Sequence, residues 1–176
     1  MSNDPVISGS TEVSSRFGTV RLNWRDEELY SVCLGPFAED PCRPIRIGGQ
    51  APPGKRARDL VAQILSYFHG EPVDFECSLA ERSGTRFQRK IWTALKEIPY
   101  GKVESYGGLA QRIGLPPGNA RALGSACGRN PLPILFPCHR VVASTGSLTG
   151  YSAGTAWKEA LLELEGISVE HGRVQI

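Results

Sequence analysis

The sequence lacks any apolar stretch long enough to span a bilayer, and its N-terminus lacks the basic-then-apolar pattern of a secretory signal. The first absence argues against a transmembrane helix, and the second argues against export. We therefore expect an intracellular, cytoplasmic protein without membrane contact, or a nuclear one if the source is eukaryotic.

The sequence also lacks a CxxC pair, and its five cysteines are an odd number spread over the chain. This pattern argues against a disulfide framework and against a zinc knuckle. A zinc site built from Cys33, Cys42 and His69 is left open, but free thiols are favoured. We expect neither a metal nor a cofactor.

Acidic residues are missing between Glu104 and Glu159, although the chain as a whole carries a formal net charge of only +2. A one-signed segment of this kind is typical of a polyanion-binding face. It is also compatible with a loop-rich region that uses few charges, so charge alone does not decide. The cations of this segment are Arg112, Arg121, Arg129, Arg140 and Lys158.

The first half of the chain predicts a small α/β unit over residues 1–80. Residues 17–24 and 29–34 are short, β-branched and aromatic, and they predict a hairpin. Residues 56–69 carry apolar side chains at helical spacing, and residues 73–79 alternate like a further strand. Residues 80–84 are expected to link this unit to the second half, over residues 81–176.

The second half predicts helices joined by tight turns. Thr85 is placed to cap a helix with Phe87, Ile91, Trp92, Leu95 and Ile98 on its apolar face. A short helix with Leu109 and Ile113 follows, then a turn rich in proline and glycine, then a helix that begins at Asn119. This is the pattern of a helix-turn-helix, but many αα-hairpins share it.

The second helix of that pair has almost no side chain that could read a base edge in the major groove. Its long side chain is Arg121, and small residues would let the backbone approach a groove or phosphates closely without reading sequence. Arg121 would then be available to enter the duplex. Tight helix packing with a surface ion pair at Arg121 is the alternative. The small residues are Ala120, Ala122, Gly124, Ser125, Ala126 and Gly128.

Cys138 is a candidate nucleophile because His139 follows it directly. Only the thiolate reacts, so the cysteine needs a base, and adjacent residues of an extended segment point to opposite faces. Direct contact between the two side chains is therefore not expected unless the chain turns, and a bridging water would connect them. Glu165 is a candidate to orient His139, at the edge of a stripe formed by Trp157, Ala160, Leu161 and Leu164 in a helix that Thr155 would cap. A carboxylate at a helix C-terminus opposes the dipole and calls for a cationic or hydrogen-bonding partner. A solvent-exposed terminal glutamate is the alternative.

Three ordered blocks carry a resemblance to a known family. They are "FQRKIWTALKEIPYGKVESYGGLA", "ARALGSACGRNPLPILFPCHRVV" and "GSLTGYSAGTAWKEALLELEG", and the second contains "PCHRV" at 137–141. The sequence resembles the O6-alkylguanine-DNA alkyltransferases strongly over residues 85–166 and by layout alone in the first half.

The resemblance implies a role for each matching residue. Cys138 would accept the alkyl group, His139 would act as a water-mediated base, and Glu165 would orient it. Asn130 would brace the active-site turn, and Tyr106 would crowd the target phosphate and protonate the departing guanine. The DNA-binding set implied with Tyr106 is Arg121, Ala122, Gly124, Ser125 and Arg129, with Arg121 filling the gap left by a flipped nucleotide. The implied base pocket is Pro133, Val141, Tyr151, Ser152, Ala153 and Gly154.

The resemblance also implies the fold and the activity. The expected fold is an α/β N-terminal domain, a small antiparallel sheet plus helix of ribonuclease H-like type, followed by a mostly α-helical winged helix-turn-helix domain. The expected reaction is irreversible, stoichiometric transfer from O6-alkylguanine, with O4-alkylthymine left open. The partner would be double-stranded DNA, bound through the minor groove without sequence preference by a monomer, and cooperative binding is left open.

Two departures and three alternatives accompany the resemblance. Ala153 stands where many relatives have glycine, which would narrow the pocket or stiffen its loop, and Cys127 is a second thiol in the DNA-binding helix. A non-repairing sensor of alkylated bases would lack the acceptor cysteine. An alkylation-responsive regulator would need major-groove readers. A cysteine hydrolase would have no use for Arg121.

Overall fold

The computed structural model describes residues 7–38, 40, 42–77, 84–116 and 118–176, and the chain divides into two compact units, residues 1–81 and 82–176. The boundary expected between residues 80 and 81 lies outside the described residues. No helix in the described ranges is long and apolar enough to cross a membrane.

The first unit contains a four-stranded antiparallel sheet and one helix. The strands are β1 (Gly9–Ser15), β2 (Gly18–Arg25), β3 (Glu28–Leu34) and β4 (Arg46–Gly49), in the order β3-β2-β1-β4. The predicted hairpin is confirmed as β2 and β3, and the predicted helix as α1 (Gly54–Phe68).

The strand β1 has no counterpart in the sequence-based prediction, although it lies inside the sheet. Its inward positions are Thr11, Val13 and Ser15, so one apolar residue alone marks the buried face. The hydroxyl of Thr11 accepts a hydrogen bond from Trp24 Nε1 at 2.9 Å and donates to the carbonyl of Gln50 at 2.9 Å. Polar inward residues are tolerated because they are hydrogen-bonded.

The strand predicted over residues 73–79 is wrong for the part that the structure describes. Residues 73–77 form no strand, and residues 78 and 79 lie outside the described residues. Phe75 is nevertheless buried, with its ring 5.7 Å from that of Tyr67 on α1. The alternation in this segment reflects one anchoring aromatic residue and not a ladder of backbone hydrogen bonds.

The second unit is mostly helical. Its helices are α2 (Arg86–Leu95), α3 (Tyr106–Arg112), α4 (Ala120–Gly128) and α5 (Thr155–Leu164). Two short parallel strands, β5 (Glu104–Ser105) and β6 (Val141–Val142), pair between them. All the predicted helices are present.

Helix α2 begins as the sequence predicts. The hydroxyl of Thr85 accepts a hydrogen bond from the Gln88 backbone at 3.2 Å, and the Gln88 side chain accepts one from the Thr85 backbone at 2.8 Å. These reciprocal bonds form a capping box. Phe87, predicted on the apolar face, is instead 37% exposed. The buried residues of the helix are Ile91, Trp92, Ala94 and Leu95.

Helices α3 and α4 form the predicted helix-turn-helix pair and pack on α2. Ser105 caps α3 by accepting a hydrogen bond from the Gly108 backbone at 3.0 Å. Trp92 on α2 donates from its indole to the carbonyl of Ala126 on α4 at 2.8 Å. This bond fixes the register of α4 against the hydrophobic core, where Leu109 and Leu123 are fully buried.

Helix α5 differs from the prediction at both ends of its buried face. The residue that caps it is Gly154, with φ of 92°, and Thr155 is already helical, so the predicted Thr155 cap is wrong. Leu164 is half-buried, whereas Leu162 is fully buried. Leu162 packs with Val142, Leu148 and Val174, and the C-terminal segment bonds to residues 146–148 through two backbone hydrogen bonds of 2.9 and 3.0 Å.

All five cysteines are free thiols with different exposure. Cys33 and Cys42 of the first unit are exposed, and Cys127 and Cys138 of the second are buried. Within the described ranges, no group of three or more His, Cys, Asp or Glu residues could hold a metal ion.

Candidate active site around Cys138

Residues 130–137 connect α4 to Cys138 as a turn that is held together by Asn130. The Asn130 amide donates to the carbonyl of Phe136 at 2.7 Å and to the Cys138 sulfur at 3.3 Å. Its amide oxygen accepts from the backbone of Leu132 at 3.0 Å. The Asn130 side chain thus links the beginning of the turn to its end and contacts the candidate nucleophile. The resemblance implies this bracing role for Asn130.

The same turn contains an unusual backbone conformation at Ile134. Its φ is +74°, although the side chain is β-branched and 1% exposed. For such a residue this conformation costs on the order of 1–3 kcal/mol and persists only where the surroundings impose it. The hydrogen bonds of Asn130 and the burial of the neighbouring Leu132 and Leu135 supply that constraint.

Cys138 is 4% exposed and begins a 3-10 turn that ends at Arg140. The chain therefore turns at this point, so the argument that adjacent residues of an extended segment point to opposite faces does not apply to Cys138 and His139. Burial raises the pKa of the Cys138 thiol, while the hydrogen bond from Asn130 and the positive charge of Lys158 act to lower it. At rest the group is a thiol that needs help to ionise.

Glu165 lies at the C-terminal cap of α5 and is 4% exposed, so the predicted inward position is confirmed. Its carboxylate accepts from His139 Nε2 at 2.8 Å, from Arg140 Nε at 2.9 Å and from the Gly101 backbone at 3.2 Å. Burial opposes ionisation, but His139 and Arg140 together lower the pKa of Glu165 to about 2. The cationic partner that a carboxylate at this helix end requires is Arg140.

His139 is fully buried, and burial lowers its pKa, although Glu165 acts in the opposite direction. The imidazole is therefore neutral near pH 7. Because Nε2 donates to the carboxylate of Glu165, the basic lone pair of the neutral ring lies on Nδ1. This is the tautomer required of a base that takes a proton from a neighbouring group.

Arg140 is a site residue that the sequence reasoning missed. It is 6% exposed, and besides binding Glu165 it donates to the carbonyl of Ile98 at 2.6 Å. The Tyr100 hydroxyl donates to the carbonyl of Leu164 at 2.9 Å. The turn after α2 is thus tied to the end of α5. The signal in the sequence that identifies Arg140 as a site residue is its position directly after Cys138 and His139. The acid-free pattern instead predicts that Arg140 belongs to a surface that binds a polyanion.

The predicted basic face is smaller than its five cations suggest. Arg140 and Lys158 are buried, and Arg112 forms ion pairs with Glu97 and with Glu104, the latter at 2.9 Å. Arg121 and Arg129, at the two ends of α4, are exposed. The acid-free segment therefore supplies an internal cation cluster as well as a surface for a polyanion.

Helix α4 presents the small surface that the sequence predicts. Ala122 and Ser125 are exposed and Gly124 is half-buried. An added Cβ at Gly124 would lie 3.8 Å from the Tyr106 ring, so α4 meets the start of α3 here without side-chain bulk. Burial raises the pKa of the Tyr106 hydroxyl, and the neighbouring Cys127 and Cys138 act in the same direction. Tyr106 is thus protonated, next to the thiol and beside the exposed face of α4.

The predicted pocket residues divide into a buried wall and a more exposed rim, which lies in the chain between β6 and α5. Pro133, Val141 and Tyr151 are buried, Ala153 is half-buried, and Ser152 and Gly154 are exposed. We call residues 150–154 the lid segment; it begins and ends with glycines at φ of 63° and 92°. The Tyr151 hydroxyl is buried without a hydrogen-bond partner among the described residues. Two open grooves lie along α2 and α3, and Cys138 lines neither.

Comparisons with known proteins agree with this geometry. Residues 86–167 match the family model described as 6-O-methylguanine DNA methyltransferase, DNA binding domain. The chain is 42% identical over 153 residues to a methylated-DNA–protein-cysteine methyltransferase of Mycolicibacterium paratuberculosis, covering 87% of this chain and 89% of that protein. It is 50% identical over 109 residues to one of Methanosarcina acetivorans, covering 62% and 69%.

Solved structures give the same result. The chain resembles the crystal structure of Mycobacterium tuberculosis OGT in complex with DNA, with a TM-score of 0.71, 40% identity and coverage of 88% and 91%. It also resembles the O6-methylguanine-DNA methyltransferase of Pyrococcus kodakaraensis, with a TM-score of 0.61, 27% identity and coverage of 85% and 92%. These likenesses extend over both units.

Proposed function

Because this chain belongs to the family of methylated-DNA–protein-cysteine methyltransferases, and is therefore a protein of direct-reversal DNA repair, we propose that Cys138 is the residue that accepts the alkyl group. The substrate is O6-alkylguanine in duplex DNA, and each molecule acts once because the thioether product is a poor leaving group. O4-alkylthymine is a further candidate substrate.

One observation supports this proposal above the others. A buried thiol, bonded to Asn130, stands next in sequence to a neutral histidine whose Nε2 is fixed 2.8 Å from a carboxylate. Nucleophile, base and orienting group are the parts of an activated thiol. The low pKa of Glu165 keeps its carboxylate charged, so it can stabilise the imidazolium that forms when His139 takes a proton.

The proposed reaction is a displacement at the alkyl carbon. The proton of Cys138 passes to His139 Nδ1 through a water molecule, and the thiolate attacks the alkyl carbon. The sulfur–carbon bond forms as the carbon–O6 bond breaks, and the electron pair of that bond goes to guanine. Tyr106, held protonated by burial, is the proposed donor of a proton to the departing base.

The proposed complex with DNA uses the exposed face of α4 in the minor groove. A target base inside a duplex must leave the stack to reach a thiol that is 4% exposed. Arg121 would fill the gap, while Ala122, Gly124 and Ser125 allow close approach and Arg129 meets a phosphate. Pro133, Val141, Tyr151, Ser152, Ala153 and Gly154 would surround the flipped base, and the lid segment must open to admit it.

The finer features of the fold and setting belong to the same proposal. We assign a ribonuclease H-like topology to the first unit and a winged helix-turn-helix to the second. We also propose that a monomer, inside the cell where the DNA is, binds without sequence preference.

The test is the intact mass of the protein after incubation with a duplex that contains one O6-methylguanine. We expect a single methyl-sized gain that maps to Cys138, and no gain for Cys138→Ser. The variant should still bind the duplex, because the serine is nearly isosteric and lies outside α4. A gain on another residue would contradict the assignment of the acceptor.

The alternative function is that of a sensor that binds alkylated bases without repairing them. A thiol at position 138 disfavours this alternative, and so do the relatives named as methyltransferases. The same experiment separates the two functions, since a sensor would bind the damaged duplex tightly and gain no mass.

A further inference from the structure

Lys158 lies in the middle of α5 and is fully buried, although it is a lysine. Its Nζ donates to the carbonyl of Val141 at 2.7 Å and to that of Thr149 at 3.2 Å. The ring centroid of Tyr106 lies 5.9 Å from Nζ. Within the described part of the chain, no carboxylate forms an ion pair with this ammonium group.

Such a position is costly for a cation. Burying an ammonium without an opposite charge is unfavourable, and an apolar residue would continue the buried stripe that Trp157 and Leu161 form on either side. Burial lowers the pKa of Lys158 to about 8, and Cys138 and Cys127 act to raise it. The group therefore stays mostly charged at neutral pH, and a negative charge nearby would offset its cost.

The two carbonyls that bind Nζ belong to the two segments that define the reaction site. Val141 follows the turn that carries Cys138 and is a proposed pocket residue. Thr149 directly precedes the lid segment. One ammonium group thus ties the fixed wall of the site to the point where the lid begins.

The same group acts electrostatically on the acceptor. Asn130 and Lys158 both act to lower the pKa of Cys138 against the effect of burial. The thiolate that forms when the proton leaves Cys138 supplies a negative charge that acts on an ammonium group without an ion-pair partner among the described residues. Other ionisable groups take part in the same electrostatic interactions, which change the pKa values of Lys158, Cys138 and their neighbours. They are Cys127, Tyr106, Tyr151, His139, Glu165 and Arg140.

We propose that Lys158 is a positioning residue of the alkyl-transfer reaction: bound between the carbonyls of Val141 and Thr149, its ammonium group anchors the lid segment and stabilises the thiolate of Cys138. This inference rests on the proposed function of Cys138. The thiolate compensates the charge of Lys158 only between loss of the Cys138 proton and attack on the alkyl carbon. The resting thiol is neutral, and so is the thioether product, because the electron pair of the broken carbon–O6 bond leaves with guanine.

The first experiment compares wild type, Lys158→Met and Lys158→Arg in their rate of alkyl transfer from free O6-benzylguanine between about pH 5.5 and 9.5, followed by intact mass. Methionine has similar length but no charge, whereas arginine keeps the charge. We expect Lys158→Met to raise the apparent pKa of the rate profile by about one unit and to slow the reaction at pH 7 about tenfold. Lys158→Arg should restore most of the profile.

The matched control is Lys102→Met, which removes an exposed lysine of the same unit and should leave rate and profile unchanged. Thermal unfolding and binding to undamaged duplex establish that each variant is folded. A slower reaction with an unmoved pH profile would overturn the electrostatic role and leave Lys158 as a structural tie. If wild type takes up the alkyl group from duplex DNA and Lys158→Met has the same transfer rate and pH profile as wild type, this inference is wrong. The proposed function would then still stand.

A second measurement requires no variant that might misfold. The side-chain Cε signal of Lys158, followed by NMR in protein carrying 13C-labelled lysine, reports its own titration. We expect the titration of Lys158 to extend to higher pH in the free protein than in the alkylated protein, because Cys138 ionises in the alkaline part of the range and its thiolate holds the proton on Lys158, whereas the thioether stays neutral. Equal titration curves in the two forms would overturn the proposal.

Discussion

At the scale of single residues, the centre of the site is a carboxylate that three elements share. Glu165 on α5 accepts hydrogen bonds from His139 and Arg140 of the 3-10 turn and from Gly101 of the loop after α2. Because His139 and Arg140 are buried against it, removing the charge leaves a buried guanidinium without compensation. Glu165 therefore stabilises the unit as well as orienting the base.

We expect Glu165→Gln to lower the free energy of unfolding by about 3–5 kcal/mol at pH 7, as the loss of one partner of a buried ion pair does. The pKa of Glu165 in the folded state, about 2, lies below its ordinary value of 4.5. The stabilisation that ionised Glu165 gives to the folded protein is thus complete at pH values above 4.5. It is lost as the pH falls from 4.5 towards 2.

Urea unfolding of wild type and variant at pH 7, 5 and 3 measures this difference. The gap between them should close as the pH falls. Glu163→Gln, two residues earlier and exposed, is the control and should change stability by less than about 0.5 kcal/mol. A gap that stays constant over this range would show that the charge of Glu165 is not the stabilising factor.

At the scale of elements, the spacing of apolar residues and the capping residues in the sequence predict where the helices lie. They do not predict how the lid segment enters α5. The capping box of Thr85 and Gln88 can be recognised in the sequence, because the two residues are three positions apart. Thr155 carries the same kind of signal, yet Gly154 occupies the cap, because the lid segment enters the helix through a left-handed residue. A cap depends on the conformation of the preceding chain, which the sequence does not display.

The strand β1 and the burial of Arg140 and Lys158 were out of reach for a related reason. Each depends on partners distant in the sequence: Trp24 and Gln50 for Thr11, Glu165 for Arg140, and Val141 for Lys158. Cys138, His139 and Glu165 could be anticipated because the residue chemistry and the family motif both point to them. Polar residues that are buried because distant groups satisfy them look like surface residues in a sequence.

We expect Thr85→Ala to destabilise the second unit by about 1 kcal/mol, since it removes the hydroxyl that accepts the hydrogen bond from the Gln88 backbone N–H. Alkyl transfer should be unchanged at temperatures where the protein is folded, because α2 contributes no proposed catalytic residue. Thr93→Ala, exposed in the same helix, is the control and should be neutral or slightly stabilising, since alanine favours helix. Chemical unfolding measures both, and equal losses for the two variants would contradict the capping role.

At the scale of the whole molecule, the acid-free segment places part of its positive charge inside the second unit and part on its surface. Of the five cations in the acid-free segment, two are buried and one is paired with glutamates. We propose that the exposed pair at the two ends of α4, Arg121 and Arg129, supplies the attraction to DNA from this segment. Few phosphate contacts imply modest binding to undamaged DNA and a shallow dependence on salt.

We expect Arg129→Ala to weaken binding to undamaged duplex and to reduce the slope of log affinity against log salt by about 1, as the loss of one phosphate contact does. Reaction with free O6-benzylguanine should be unaffected. Fluorescence anisotropy at several salt concentrations gives the slope. An unchanged slope would exclude Arg129 from the DNA contact.

Arg121→Ala should act differently, because its proposed role begins once the base has left the stack. We expect a much larger loss of repair in duplex DNA than in the reaction with a free benzylated base, which involves no extrusion. The two rates, each followed by protein mass, provide the comparison. Equal losses on both substrates would contradict the role of Arg121 as the residue that fills the gap.

The distribution of free thiols offers two independent chemical handles on one molecule. Cys33 and Cys42, both in the first unit, are exposed, so a maleimide dye under native conditions would attach there and spare the buried thiols. A dye carried on the benzyl group of O6-benzylguanine would attach to Cys138 in the second unit, by the reaction proposed for it. With one of the two exposed thiols replaced, energy transfer between the dyes would report the distance between the two labelled residues with and without duplex DNA.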